Sequence, residues 1–116
     1  MSNIYDQVHR LAKDLKETDE YRDYISTRDA AMDNETNRAL IKEYKKLQFQ
    51  LQVALTGGGQ PNAEDMERLQ KISGVLQFSQ EASAYLLAEL RMQKLLGDIY
   101  KIIGEAVELD MGFLEG

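Results

Sequence analysis

The sequence predicts an all-α protein, and three observations carry that reading. Apolar residues recur at intervals of three and four along most of the chain. No segment alternates with period two over a useful length, so strands are not expected. Glycine and proline interrupt the pattern together only once, at Thr56-Gly57-Gly58-Gly59-Gln60-Pro61, where three glycines and the single proline cannot continue a helix. The expected architecture is a dimerising helical bundle formed by one domain over residues 1–116. Residues 3–55 are helical, 56–61 form a Gly-rich loop, and 62–110 form a long helical segment.

The first half reads as three helices. Ile4, Val8, Leu11 and Leu15 follow 4-3-4 spacing, the stripe of an amphipathic helix. Thr18 suits the cap of a second, shorter helix carrying Tyr21, Tyr24, Ile25 and Met32, with Asp19 and Glu20 favourably placed against the dipole of its first turn. Asp33-Asn34 offers the next cap. From there Leu40, Tyr44, Leu47, Leu51 and Ala54 mark a third helix over about 34–55, roughly 33 Å long.

Asn62 caps the second half, with Glu64 and Asp65 in the first turn, and Met66, Leu69, Ile72 and Leu76 share one face. Further on, Tyr85, Ala88, Met92, Leu95, Ile99, Ile102, Ala106, Leu109 and Phe113 alternate in threes and fours. Between these runs the register slips, and Gly74, Ser79 and Ser83 fall in the slip. Either one long helix kinks near Phe78–Gln80 or two helices lie end to end. A straight helix over 63–110 would measure about 70 Å, whereas a compact chain of this length has a radius of gyration of only ~13–14 Å. Leu95, Leu96, Ile99, Ile102, Ile103 and Val107 would then stand uncovered, and their exposure would cost several kcal/mol at ~25 cal/mol per Å². The expected remedy is a second copy, in a homodimer or larger even assembly whose interface uses those six residues.

Composition excludes several functions. There is no cysteine, so there is no disulfide framework, thiol nucleophile or cysteine-held cluster. With 14 basic against 20 acidic side chains the net charge is −6, which argues against broad nucleic-acid or anionic-membrane binding. Residues 1–55 are nearly neutral, and most of the negative excess follows the loop. No apolar run approaches the ~20 residues that span a bilayer. The N-terminus lacks the basic and apolar regions of a signal peptide, and a cytoplasmic location is expected.

Candidate chemistry is sparse. The glycine run follows no strand and carries no Lys-Ser or Lys-Thr, so it reads as a linker and not a phosphate cradle. Asp6 and His9 share a helix face, but His9 is the only histidine and a metal site needs several convergent ligands. Glu105, Glu108 and Asp110, like Glu64, Asp65 and Glu67, suit solvated helix faces or a helix N-terminus. No catalytic, cofactor or metal residues are expected. Arg38, Lys42, Lys45 and Lys46 form a basic side of helix three with Tyr44 and Phe49 nearby, a weak RNA candidate interleaved by Glu35 and Glu43. Phe49 and Val53 stand four apart off the main stripe, among the uncharged Gln48, Gln50 and Gln52. They suit either a partner surface or a broad buried stripe in a packed bundle.

Asn3-Ile4-Tyr5-Asp6 with Ala12 and Leu15, Thr18-Asp19-Glu20-Tyr21-Arg22-Asp23-Tyr24, and Tyr44 with Leu47 and Leu51 resemble the YlbF/YmcA family of small helical bacterial proteins. The strongest match is Ala84-Tyr85-Leu86-Leu87-Ala88-Glu89 followed by Leu95-Leu96-Gly97-Asp98-Ile99. It is most similar to the YheA-like branch and extends over nearly the whole chain. The resemblance implies an all-α, dimer-forming protein of Gram-positive bacteria. It also implies a role like that of YlbF and YmcA, which act with YaaT in competence, sporulation and biofilm formation and influence RNA processing by ribonuclease Y. Those relatives use cysteines associated with iron–sulfur clusters, which this chain lacks, so that cofactor does not transfer. The function expected is a non-enzymatic regulatory or adaptor protein working through protein contacts. The alternative is an RNA-processing accessory that touches RNA or a ribonuclease through the basic face of helix three.

Overall fold

The computed structural model describes residues 3–109. They form five helices: α1 (Ile4–Leu15), α2 (Asp19–Asp33), α3 (Glu35–Thr56), α4 (Ala63–Leu76) and α5 (Gln80–Ala106). No strand occurs among the described residues, so the fold is all-α as the periodicity requires. The chain divides into two compact units, Thr27–Tyr85 on the one hand and Met1–Ser26 with Leu86–Gly116 on the other.

Helix starts follow side-chain caps. Asn3 Oδ1 accepts from the Asp6 amide at 3.0 Å, and Thr18 Oγ1 from the Tyr21 amide at 3.1 Å. Asn34 Oδ1 accepts from the Asn37 amide at 2.9 Å, and Asn62 Oδ1 from the Glu64 amide at 2.8 Å. Each satisfies one of the amides that a first helical turn leaves unpaired.

The break between the last two helices is complete: the chain forms two helices end to end. α4 closes with the Phe78 and Ser79 amides donating to the Val75 and Leu76 carbonyls, both at 3.1 Å. Ser79 then caps α5, its Oγ accepting from the Ala82 amide at 3.2 Å. The Ser83 hydroxyl reaches back to the Leu76 carbonyl at 3.1 Å. The serines in the register slip are therefore the residues that make the break.

In the Thr27–Tyr85 unit, α3 and α4 form an antiparallel hairpin. Glu43 of α3 pairs with Arg68 of α4, and Asn37 near the start of α3 with Ser79 just past the end of α4, so rising numbers on one side meet falling numbers on the other. Ala31, Ile41, Leu47, Ile72, Leu76, Ala82 and Tyr85 are buried in this unit. The second unit is different. Of its described residues only Ala88 and Gly104 are buried, and α1 has none.

Both long helices stop by the same device. At the end of α3, Gly59 donates to the Ala54 carbonyl at 2.9 Å and Gly58 to Leu55 at 3.2 Å, with Gly58 left-handed at φ 78°. At the end of α5, Leu109 donates to Gly104 at 3.0 Å and Glu108 to Glu105 at 3.2 Å, with Glu108 at φ 57°. These are Schellman closures, and glycine is the residue that adopts their left-handed position without strain. α5 thus ends at Ala106, short of the 110 suggested by the apolar pattern. Asp110 and Phe113 lie outside the described residues.

Substituting two glycines should move stability in opposite directions. Gly58→Ala places a side chain in the left-handed region and should lower the unfolding free energy by about 1 kcal/mol. Gly74→Ala, inside α4 with open space around the new Cβ, should raise it by about 0.5–1 kcal/mol. Urea unfolding followed by helical circular dichroism reads both.

Candidate interaction surfaces

α3 presents one face to its own unit and another to solvent. Ile41 and Leu47 are buried and Leu40, Tyr44, Leu51 and Ala54 half-buried. Phe49 and Val53 stay 68% and 54% exposed. With Gln52, Thr56 and Gly57 they line an open concavity of about 340 Å³ at the C-terminal end of the helix. The Thr56 hydroxyl is turned inward, donating to the Gln52 carbonyl at 2.7 Å. The lining is neutral, with an aromatic ring and a branched aliphatic as its apolar part, a composition typical of protein interfaces.

The basic side of the same helix is partly tied up. The Lys45 ammonium donates to the Tyr85 hydroxyl at 2.6 Å and lies 4.7 Å from the centre of its ring, combining a charge-assisted hydrogen bond with a cation–π contact. Arg38 donates to the Met32 carbonyl at 3.2 Å and faces Glu35. Lys42 and Lys46 are exposed. Between them Glu43 binds Arg68, and that hydrogen bond holds the Glu43 carboxyl below its usual range. Arg38 and Lys45 are thus engaged by the chain's own groups, whereas Lys42 and Lys46 face solvent.

Of the six residues expected at a dimer interface, Leu95 and Ile99 are half-buried, whereas Leu96, Ile102, Ile103 and Val107 are exposed. Ile102 and Val107 reach 67% and 65%. The structure brings Phe49 and Val53 together on α3, in the Thr27–Tyr85 unit, and places five of the six on α5 and Val107 just past its end, in the other unit. Asp6 and His9 lie on exposed α1, and no group of three or more metal-ligating side chains forms among the described residues. None of the described helices is long and apolar enough to cross a membrane.

Two features escape the sequence pattern. The α1 face of Ile4, Val8 and Leu11, widened by Tyr5, is exposed; periodicity marks such a face without saying what covers it. Phe78 is 92% exposed at the α4–α5 break, and only the register slip around it hints at its freedom from the core.

The fold and surfaces define a small all-helical protein with apolar side chains exposed on α1, α3 and α5. Residues 4–108 match the family described as control of competence regulator ComK, YlbF/YmcA, and the chain belongs to that family. It is 36% identical over 110 residues to a UPF0342 protein of Symbiobacterium thermophilum, covering 95% of this chain and 98% of that one. A UPF0342 protein of Clostridium novyi is 33% identical over 108 residues, covering 93% and 95%. Among solved structures, a DUF964 protein from Bacillus stearothermophilus superposes with a TM-score of 0.74 at 13% identity, covering 90% of this chain and 92% of that one. Bacillus subtilis RicA, solved in complex with RicF, superposes with a TM-score of 0.61 at 18% identity, covering 90% and 93%. These two likenesses establish the shared fold.

Replacing Tyr85 by phenylalanine removes the hydroxyl that Lys45 bonds and keeps the ring beneath its ammonium. Tyr85→Phe should cost about 1 kcal/mol, the net worth of a hydrogen bond to a charge discounted for the half-exposed ammonium. Urea unfolding measures the loss. An unchanged midpoint would show that water replaces the bond without penalty.

Proposed function

We propose that this chain is a non-enzymatic regulatory adaptor of the cytoplasm. It works as a homodimer through the C-terminal half of α5 and engages a protein partner through Phe49 and Val53. The observation that carries the proposal is the unequal distribution of apolar surface. One unit buries seven apolar residues, while the other buries Ala88 alone among its described apolar residues and leaves Leu96, Ile102, Ile103 and Val107 exposed along and just past the end of α5. Contiguous apolar surface of this kind marks interaction sites. The family's regulatory description and the pairing of its structural neighbour RicA with RicF both support a protein whose work is assembly.

Two measurements test the parts separately. The wild-type chain should scatter light at twice its 13.2 kDa mass, and Ile103→Glu should reduce the dimer to single chains. Affinity purification from native cells should recover a protein with the wild type and lose it with Phe49→Asp at unchanged helicity. Equal recovery with both would remove Phe49 and Val53 from the proposal. Tight, salt-dependent RNA binding lost in Lys46→Glu would move the function to the basic face.

A further inference from the structure

The exposed side of α3 carries a stripe with two unlike halves. Lys42, Lys46, Phe49 and Val53 are spaced four, three and four apart, so they fall on one face of the helix. All four are exposed, and all belong to the Thr27–Tyr85 unit. The stripe is cationic towards its N-terminal end and apolar towards its C-terminal end, over about 17 Å at 1.5 Å per residue.

The fold takes the neighbouring charges away from this stripe. Glu43, which interrupts the lysines in sequence, pairs with Arg68 of α4. Arg38 donates to the Met32 carbonyl and faces Glu35, and Lys45 donates to the Tyr85 hydroxyl. Lys42 and Lys46 make no hydrogen bond or ion pair among the described residues. They stand on the turns before the concavity that Phe49 and Val53 line with Gln52 and Thr56. Two uncommitted cations thus lead into a neutral, partly apolar hollow.

We propose that this stripe holds a protein segment with carboxylates at one end and a bulky apolar side chain at the other. The carboxylates meet Lys42 and Lys46, and the apolar side chain enters the concavity beside Phe49 and Val53. The inference rests on the partner surface proposed above and names the chemistry of what it takes. The centres of the two halves are about 10 Å apart, which is two turns of a helix or three residues of an extended segment. Charge complementarity fixes the direction and register of such a segment, while the desolvated apolar end supplies most of the affinity. RNA fits the stripe less well. Val53 offers no face for base stacking, and two cations are few against the many phosphate contacts that sustain nucleic-acid binding.

The test pans the immobilised wild-type chain against a phage-displayed library of random dodecapeptides. The wild type should enrich peptides with Asp or Glu at one end and Leu, Ile or Phe towards the other. The double variant Lys42→Glu/Lys46→Glu should enrich peptides with Lys or Arg at the charged end instead, a reversal that loss of folding does not produce. A synthetic copy of the enriched wild-type peptide, titrated by fluorescence anisotropy, should bind at least tenfold more weakly to Phe49→Asp and about three- to tenfold more weakly to Lys42→Ala/Lys46→Ala, both at unchanged helicity. Peptides without an acidic bias, or the same peptides from the wild type and the charge-reversed variant, overturn the inference and leave Phe49 and Val53 as a partner surface. Enrichment of no peptide, or equal binding to Phe49→Asp, overturns both readings. Displacement of the peptide by poly(U) would assign the stripe to RNA. A Phe49→Asp protein that scatters light at half the wild-type mass would assign it to a contact between copies.

Discussion

A buried amide organises the larger unit. Asn37 is 7% exposed and donates from Nδ2 to Ser79 Oγ at 3.0 Å. The same oxygen accepts from the Ala82 amide and so starts α5. One hydroxyl thus joins the first turn of α3 to the point where α4 gives way to α5. In a low-dielectric interior a polar group without a partner is costly, and no buried side-chain nitrogen or oxygen of the described residues is left unsatisfied. The pairing therefore selects one alignment of the hairpin. Sliding α3 by one residue along α4 would break the Asn37–Ser79 bond and leave a buried amide without that partner.

Most helix starts were legible because their signals are local. Thr18, Asn34 and Asn62 are short polar residues ahead of apolar periodicity, and the atoms that cap the helices are theirs. The break near Phe78 was legible as a slip in register, but periodicity alone left a kink and a full stop equally open. Ser79 and Ser83 decide it through bonds to Ala82 and Leu76, which depend on three-dimensional placement. The end of α5 was the least legible boundary. Its closure puts Glu108 in the left-handed region where Gly58 sits at the end of α3, so the glycine that normally announces such an ending is absent and the apolar stripe runs on through Leu109.

The surfaces were legible to different depths. Phe49 and Val53 stood out because they leave the stripe that Leu40, Tyr44 and Leu47 define. The basic residues beside them looked uniform in sequence, yet Lys45 bonds a buried tyrosine 40 positions away while Lys42 points to solvent. Charge in a one-dimensional pattern does not say whether a helix face is solvated or packed. For α1 the limitation is different. Amphipathicity states that a face wants cover, and the identity of the cover is a property of the assembly.

That a whole unit buries only Ala88 and Gly104 among its described residues has a consequence for how the protein responds to its own abundance. Association with a copy, as proposed above, would make the order of that half obey mass action, strengthening logarithmically as the chain accumulates. The unit with its own buried core would depend less on concentration. Such a molecule has one part whose state is set by sequence and another whose state reports copy number.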